Sequence, residues 1–459
     1  MEPITKHDPS PLLIHDLKVT VQRTSLVYPP QQTENRSMFL SNIDQVLNFD
    51  VQTIHFFPSH KDFPPEIVAQ RVKSALERLL VPYDFLAGRM KFNPEVRRLE
   101  LDCNRNGAGF VLASSECSLE EIGDLVYPNP AFKDLVTSTV DQLAEDDQPL
   151  CILQVTSFKC GGFAIGTSTN HATFDGIGYK SFLENLAAMA ADKPLTISPC
   201  NDRQLLAARN PPHVTFPHPE LLKLDSTIPC NAPVFHSTEE PLDFKIFRLS
   251  SRHVSDLKDK AKKCPDSRVS SFNAVTAHIW RCKALSSSLH RDTINHINDG
   301  DDDELERVST ILYAVNIRPR LVPPLPESYV GNAVLSAYGS GKCRELKEGP
   351  FWRLVQMVGE GAKRMTEEYV RSCIDWGEMN KGYPHGEFLI SSWWRMGFDE
   401  VEYPWGKPKY SCPVVHHRKD IILLFPDIQD KNAVNVLVAL PTKQMNNFQA
   451  LFHYFLTNP

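Results

Sequence analysis

The chain has 459 residues, of which 42% are hydrophobic and 23% charged, an ordinary globular composition. Because one hydrophobic core stops growing at roughly 250–300 residues, this length predicts two domains of about 200 residues each. Lys and Arg total 49 and Asp and Glu total 56, and the net charge of −7 argues against nucleic-acid binding as the main function.

Strand-like and helix-like segments alternate in the N-terminal half. Residues 51–57 predict a strand, and Pro64-Pro65 starts a helix because proline suits a first turn, where its missing N–H is not needed. Residues 149–158 and 162–169 predict two strands joined by a hairpin turn at 159–161. Helical spacing gives two apolar faces, one at Val68, Val72, Ala75, Leu76 and Leu79, the other, after Asp175, at Phe182, Leu183, Leu186, Ala187 and Ala190.

The composition changes after the second of these helices. Residues 194–242 are rich in proline and lack periodicity, so we expect an ordered crossover between two domains. Residues 244–249 then predict a strand, and 251–263 and 270–286 predict helices. The predicted organisation has three parts, namely residues 1–193, the crossover 194–243 and residues 244–459.

One acidic segment, Asp299–Glu304, resembles a calcium-binding loop only superficially. It lacks the ligand spacing and the closing glutamate of such a loop, so we interpret it as a solvated loop. The sequence therefore predicts no metal site.

A histidine marks the junction between the strand 162–169 and the helix that follows it. His171 lies on this loop, a common place for residues that a rigid scaffold positions for chemistry, and Asp175 can cap the helix. Taken alone, His171 is equally consistent with a hydrogen-bonded core histidine. The same His-x-x-x-Asp spacing recurs at His416–Asp420, which we interpret as a solvated turn before a strand at Ile421–Phe425.

Eleven scattered cysteines, without a Cys-x-x-Cys pair, are typical of buried thiols in a reducing compartment. The N-terminal segment shows no export or transit pattern, and no apolar run reaches the roughly 18 residues of a membrane helix. We therefore expect a cytoplasmic protein with no membrane span.

The segment STNHATFDGIGYKSFLENLA, which contains His171, resembles the active-site block of the plant BAHD family of acyl-CoA-dependent acyltransferases. Further matches follow in the family's order across nearly the whole chain. They are Leu40–Asp44, Leu86–Arg89, Asp202-Arg203 with Ala208–Pro212, Ser270–Cys282, and Asn316–Asn332. Several ordered blocks are far more specific than one short motif.

This resemblance implies an α/β fold with two chloramphenicol-acetyltransferase-like domains of similar size. Each would be a mixed β-sheet with flanking helices, and a long crossover loop would join them. The implied protein is a monomer with no permanently bound cofactor, which uses acyl-CoA as co-substrate and a small-molecule alcohol as acceptor. By the same resemblance His171 is the general base that removes the acceptor's hydroxyl proton.

Other site residues also follow from the resemblance. Ser391 and Trp393 would line the acceptor pocket near the oxyanion, although a strand-end serine and a core tryptophan are the alternatives. Ser270 and Ser271, at a helix start, would bind coenzyme A, cap the helix, or do both. Asp175 would be structural, with Arg318 as its favoured partner.

The last family block, usually Asp-Phe-Gly-Trp-Gly, here reads Glu402-Tyr403-Pro404-Trp405-Gly406. Its Trp405 and Gly406 are retained, and Glu402 is expected to pair with Arg318 or Arg320 in a structural role. Pro404 replaces a glycine, which fixes φ and changes the local backbone. This departure leaves open a non-catalytic regulatory or binding protein of the same family as the alternative.

Neither the acyl donor nor the acceptor alcohol follows from these residues. The Phe39–Gln45 stretch resembles branches that act on long-chain hydroxy compounds, fatty alcohols or sterol-like hormones. A specialised metabolite, a long-chain hydroxy compound and a hormone therefore all stay open as acceptors.

Overall fold

A computed structural model describes residues 14, 16–126, 129–224, 240–264, 267–287, 302–414 and 419–457. Its strands are β1 (Val19–Val27), β2 (Ser37–Phe39), β3 (Asp50–Phe57), β4 (Arg89–Asn93), β5 (Arg98–Asp102), β6 (Ala108–Ser115), β7 (Cys151–Phe158), β8 (Phe163–Asn170), β9 (Leu221–Lys223), β10 (Asp243–Leu249), β11 (Val308–Asn316), β12 (Val334–Lys342), β13 (Gly382–Pro384), β14 (Phe388–Ser392), β15 (Tyr410–Pro413), β16 (Ile421–Pro426) and β17 (Val434–Leu440). Its α-helices are α1 (Asn42–Gln45), α2 (Pro65–Leu79), α3 (Leu119–Ile122), α4 (Gly176–Ala190), α5 (Ser251–Lys260), α6 (Ser271–Ser286), α7 (Asp302–Glu306), α8 (Cys343–Glu348), α9 (Phe351–Arg364), α10 (Glu367–Met379) and α11 (Thr442–Thr457).

Two six-stranded sheets organise the chain. The first has the order β1-β6-β7-β8-β3-β15 and is antiparallel except between β6 and β7. The second has the order β10-β17-β16-β14-β11-β12 and is parallel where β14 pairs with β11 and with β16. Helices α2 and α4 pack together beside the first sheet, and α6 packs against α5, α9 and α11 beside the second. The predicted α/β fold with two mixed sheets and flanking helices is confirmed.

The elements predicted in the N-terminal half are also present. Helix α2 begins at Pro65, and both predicted apolar faces are buried, which places α2 and α4 over one hydrophobic core. Strands β7 and β8 form the predicted antiparallel hairpin, whose turn contains Gly161 at φ +80°. None of the helices in the described ranges is long and apolar enough to cross a membrane.

One strand of the second half of the chain belongs to the first sheet. Strand β15 pairs antiparallel with β3, so that Ser411 lies opposite His55, and the His55 Nδ1 and Ser411 Oγ atoms are 2.8 Å apart. The predicted boundaries at residues 193 and 243 therefore do not separate the two sheets completely, because β15 lies after both boundaries but belongs to the first sheet. A four-residue strand carries too little periodicity to reveal a partner more than 350 positions away.

The crossover is ordered over the part that the structure describes, residues 194–224. Cys200 forms a parallel bridge with Tyr329, and the side chain of Arg203 is buried. The backbone N–H of Arg209 donates to Asp375 Oδ1 on α10 at 2.8 Å. Residues 225–239 lie outside the described ranges.

Two of the segments interpreted from sequence as solvated are only partly described. Residues 299–301 lie outside the described ranges, whereas Asp302–Glu306 forms the short helix α7 rather than a loop, with Asp303 and Glu304 exposed. An apolar residue in this run, Leu305, is buried, which favours a helical turn over an extended solvated segment. Residues 416–418 also lie outside, and the turn that ends at Asp420 precedes β16.

The divergent Glu402–Gly406 block forms a tight turn. The N–H of Gly406 donates to the carbonyl of Tyr403 at 2.9 Å, and the N–H of Tyr403 donates back to Gly406 at 3.1 Å. Pro404 therefore occupies the second position of a turn, where its fixed φ and missing N–H are both tolerated. Gly406 retains a φ of +98°, and the Trp405 ring stacks on Tyr403 with centroids 5.3 Å apart. The proline substitution is thus compatible with an intact turn.

Replacing Gly406 by Ala should destabilise the protein by about 1 kcal/mol, because a Cβ disfavours positive φ even though it would contact nothing within 4 Å. Urea unfolding measures this change. The neighbouring exposed Lys407→Ala is the matched control and should stay within about 0.5 kcal/mol of wild type. Equal stability of both variants would show that the turn does not require a glycine.

Candidate active site

A cavity of about 320 Å³ lies between the two sheets. Its wall combines residues of the N-terminal half, including His171 and Tyr179, with residues of the C-terminal half, including Ser391 and Trp393. Most of the remaining lining is apolar, for example Ile43, Val46, Leu47, Phe49, Val51, Leu335, Ile374, Leu389, Met396, Phe398, Leu423 and Leu437. Four of the predicted site residues, His171, Asp175, Ser391 and Trp393, are therefore brought to one cavity.

His171 is the first residue after β8. Its backbone N–H donates to the carbonyl of Phe49 at 2.8 Å, and the Phe49 ring lies 5.2 Å from the imidazole, tilted by 54°. The N–H of Thr173 returns to the carbonyl of Asn170 at 3.0 Å, which closes a tight turn around the histidine. The backbone thus holds the imidazole at the cavity wall rather than in the core.

Asn332 fixes the protonation pattern of this imidazole. The Nδ2 group of Asn332 donates to Asp44 Oδ1 at 2.7 Å and to the carbonyl oxygen of His171 at 2.8 Å. Because both partners are acceptors only, the amide oxygen must face the ring, and it lies 3.1 Å from His171 Nδ1. Nδ1 therefore carries the proton, which leaves the Nε2 lone pair available as a base.

The surroundings of His171 also favour its neutral form. Burial is the largest influence and lowers the pKa of His171 below its usual 6.5, while the negative charges of Asp175 and Asp44 act in the opposite direction. The imidazole is consequently neutral, and able to accept a proton, at physiological pH.

Asp175 contacts the protein scaffold and not the imidazole. Its carboxylate caps α4 by accepting from the N–H groups of Ile177 and Gly178, and it also accepts from the N–H of Ala333 at 2.9 Å. Arg318 completes its coordination with two hydrogen bonds of 2.7 and 3.0 Å. The expected pairing of Asp175 with Arg318 is present, and both side chains are buried.

A second buried acid–base pair supports the same loop, and sequence reasoning assigned it no role. Arg203 donates to the carbonyl of Thr173 at 2.6 Å and lies 3.5 Å from Asp44. A Cβ on Gly331 would come within 1.8 Å of this guanidinium, so glycine is required there for close approach. The signal available in the sequence was that Asp44, Arg203 and Gly331 each lie inside a block that matches the family.

The expected pairing of Glu402 with Arg318 or Arg320 is wrong. The Glu402 side chain is 74% exposed and lies 4.0 Å from Lys407, whereas Arg318 is engaged by Asp175. Glu402 projects from the turn into solvent because it is Tyr403 and Trp405 that pack inward, against Phe57. The block therefore stabilises the fold through its aromatic rings and the turn glycine.

Ser391 and Trp393 lie at the carboxyl end of β14, a strand that is parallel to both of its neighbours. Residues at the ends of such strands project into the crevice above the sheet, which is where the cavity is found. Both side chains are partly exposed to this space, and the Trp393 ring packs edge-on against Phe398 at 5.5 Å.

Ser270 and Ser271 are not among the residues that line the cavity. Ser270 is the N-cap of α6 and accepts from the N–H of Asn273 at 3.5 Å, so the capping interpretation is confirmed. Ser270 is exposed, as are Arg268, two positions before it, and Lys263, whose ammonium lies 4.9 Å from the centroid of the Trp352 ring. The start of α6 thus combines free N–H groups with positive charge, which suits an anion.

Comparison with known proteins gives three findings. A family model described as the Transferase family matches residues 17–454. The chain is 59% identical to acyltransferase GLAUCE of Arabidopsis thaliana over 97% of each chain, and 34% identical to omega-hydroxypalmitate O-feruloyl transferase of the same plant over 95% of this chain and 93% of that one. Its fold resembles that of F. graminearum TRI101 complexed with coenzyme A and T-2 mycotoxin, with a TM-score of 0.72, 15% identity and coverage of 90% and 97%.

Removing one partner of the Asp175–Arg318 pair should destabilise the protein by about 3–5 kcal/mol, because the other charge is left buried. Arg318→Met tests this in urea unfolding. The double variant Asp175→Asn with Arg318→Met should recover part of the loss. Glu402→Ala is the exposed control and should change stability by less than about 0.5 kcal/mol. A loss of similar size in Glu402→Ala would contradict the pairing described above.

Proposed function

Because the chain belongs to the BAHD family of acyltransferases, we propose that it moves an acyl group from coenzyme A to the hydroxyl of a small, uncharged plant metabolite. The observation that carries this proposal is the His171 imidazole, whose proton lies on Nδ1 and whose Nε2 is available at the wall of a cavity between the two halves. We further expect the protein to act as a cytoplasmic monomer without a permanently bound cofactor.

The chemistry needs one proton acceptor and two aligned substrates. A thioester is already activated, so no acyl-enzyme is required, and His171 Nε2 takes the proton of the acceptor hydroxyl as its oxygen attacks the thioester carbon. The same proton then passes to the departing sulfur of coenzyme A. Holding both substrates in one cavity supplies a large part of the rate enhancement.

The tetrahedral intermediate carries a negative oxygen that needs a hydrogen-bond donor. The Ser391 hydroxyl is our candidate, because it lies in the cavity wall at the end of β14, on the C-terminal side of the space that His171 lines. Trp393 bounds the same part of the wall. These residues would stabilise the oxyanion that forms during transfer.

We place the nucleotide portion of coenzyme A at the exposed start of α6. Ser270 and Ser271 supply hydroxyl and backbone donors there, and the exposed Lys263 and Arg268 supply positive charge for the phosphates. Since these residues do not line the cavity, the pantetheine arm would have to span the distance between them and His171. The coenzyme A in the TRI101 complex supports a thioester substrate for this fold.

The acceptor side of the cavity favours an apolar alcohol. No lysine or arginine occurs among the described residues that line it, and the two cationic residues nearest to the histidine loop, Arg203 and Arg318, are occupied by Asp44 and Asp175. A carboxylated acceptor would therefore bury an unpaired charge. The relative named as a fatty alcohol:caffeoyl-CoA acyltransferase supports a long-chain, uncharged acceptor. The omega-hydroxypalmitate relative supports a long apolar chain, although its acceptor carries a carboxylate at the end opposite to the reacting hydroxyl.

His171→Ala should lower kcat by about 10²–10⁴, because a general base typically contributes that factor. The measurement is coenzyme A release with a panel of acyl donors and alcohols. His453→Ala, an exposed histidine on α11, is the matched control and should retain full activity. Equal rates in wild type and His171→Ala would reject the base. Absence of activity in the folded wild type with every donor and alcohol would favour the non-catalytic alternative.

The same enzyme should stay active well below neutrality. A base works in its neutral form, which dominates above its pKa, and burial lowers the pKa of His171 below 6.5. The acidic limb of kcat/KM should therefore fall below pH 6.5, with a plateau at neutral pH. A limb centred above pH 7 would mean that the imidazole is stabilised in its charged form.

Acceptor selectivity should follow apolarity and charge. With one acyl donor held constant, kcat/KM for 1-alkanols should rise about three- to fourfold per methylene until the cavity is filled, since a buried CH₂ contributes about 0.8 kcal/mol. The effect of charge is measured by comparing methyl 4-(hydroxymethyl)benzoate, an uncharged ester, with 4-(hydroxymethyl)benzoate, the corresponding free acid. The free acid should react at least about 100-fold less efficiently. Comparable efficiency for the two would contradict an uncharged acceptor site.

A further inference from the structure

Three buried side chains, all of types that can bind a metal ion, lie together beside the cavity. His218, Glu220 and Cys373 place one ligand atom each within 4.8 Å of one another, and all three side chains are buried. His218 and Glu220 belong to the crossover, whereas Cys373 lies on α10. The acyl-transfer chemistry makes no use of this group.

Glu220 has a carboxylate oxygen without a partner. Its Oε1 accepts from the hydroxyl of Tyr369 at 2.8 Å and lies 3.1 Å from His218 Nδ1. Its Oε2 is buried and has no hydrogen-bond partner in the described part of the chain, and the residue is only 1% exposed. No lysine or arginine of the described residues forms an ion pair with it. A buried carboxylate in this condition needs a cation or a further donor.

The imidazole of His218 is held in place from its other side. Its Nε2 lies 2.9 Å from the Ser372 hydroxyl oxygen, which also accepts the N–H groups of Thr215 and Phe216 at 2.9 and 3.2 Å. A histidine that binds a metal through one nitrogen is usually oriented by a hydrogen bond at the other. The two N–H groups fill the acceptor positions of the Ser372 hydroxyl, which therefore donates to Nε2 while Nδ1–H donates to Glu220. With Nδ1 bound to a metal, the ring proton would move to Nε2, and Ser372 would accept it in place of the longer hydrogen bond from Phe216.

We propose that His218, Glu220 and Cys373 form a zinc-binding site that fastens the crossover to α10. The donor set of one imidazole, one carboxylate and one thiolate is a combination that Zn²⁺ accepts, and a water molecule would supply the fourth ligand. Bond lengths of about 2.0–2.3 Å place tetrahedral ligands roughly 3.3–3.8 Å apart. His218 Nδ1 and Glu220 Oε1 are already 3.1 Å apart, and no two of the three ligand atoms are more than 4.8 Å apart, so the largest approach needed is about 1 Å.

The ion has a route to this position. Cys373 lines the acceptor cavity, as does Leu221, the residue that follows Glu220. On binding, the thiol proton of Cys373 is released to solvent, so that the thiolate, the carboxylate and Zn²⁺ together leave no net charge buried. The site is therefore a structural brace on one wall of the cavity, distinct from His171.

Zinc titration of chelator-treated protein tests this proposal. We expect one Zn²⁺ per chain by elemental analysis of the dialysed protein and a higher Tm with zinc than without it. Cys373→Ala and Glu220→Gln should each bind zinc at least about tenfold more weakly and lose the Tm increase. Cys160→Ser, which removes an exposed thiol, is the control and should behave as wild type.

The proposal would be overturned if the wild-type protein bound no zinc. It would also be overturned if the wild type, the two site variants and the Cys160→Ser control all bound zinc equally. If the variants do not fold, Co²⁺ added to the chelator-treated wild type gives an independent answer. The site predicts a thiolate-to-cobalt charge-transfer band together with tetrahedral ligand-field absorption. A spectrum without a thiolate band would exclude Cys373 as a ligand and the proposed site with it. Neither measurement depends on acyl-transfer activity.

Discussion

The active-site loop depends on one buried ion pair that joins the two halves of the chain. Asp175 caps α4 in the N-terminal half, and Arg318 reaches it from the end of β11 in the C-terminal half, 143 positions later. Because each charge would be costly to bury alone, the two halves can close over the loop only when this pair forms. The loop between β8 and α4 is thereby fixed, and His171 is fixed with it.

A second set of contacts gives the His171 imidazole on this loop a defined tautomer, which suits its proposed role as general base. Asp44 and Arg203 hold the loop from α1 and from the crossover, while Asn332 connects Asp44 to both the backbone and the ring of His171. Four separated segments of the chain therefore meet at one imidazole. This convergence explains why three of the matched blocks accompany the His171 block: Leu40–Asp44, Asp202-Arg203 and Asn316–Asn332 each supply a member of one polar network.

Local patterns in the sequence were sufficient for the elements and for the place of His171 among them, whereas its expected role as a base came from the family resemblance. The periodicity of α2 and α4, the β7–β8 hairpin and the position of His171 between a strand and a helix all follow from residue spacing. Long-range pairing was not accessible in this way. The pairing of β15 with the first sheet involves only four residues. Glu402 points outward because the neighbouring rings of Tyr403 and Trp405 pack into the core, which depends on tertiary contacts. Asn332 gave no local signal, because its role exists only when Asp44 and His171 are brought to it.

The proposed catalysis depends on the protonation of the His171 ring. Long-range ¹H–¹⁵N correlation spectra of the folded protein at pH 7.5, assigned with His171→Gln, report which imidazole nitrogen carries hydrogen. The contacts with Asn332 predict a neutral ring with the proton on Nδ1 and an unprotonated Nε2. A proton on Nε2, or a fully protonated imidazolium at this pH, would contradict the assignment of His171 as the general base.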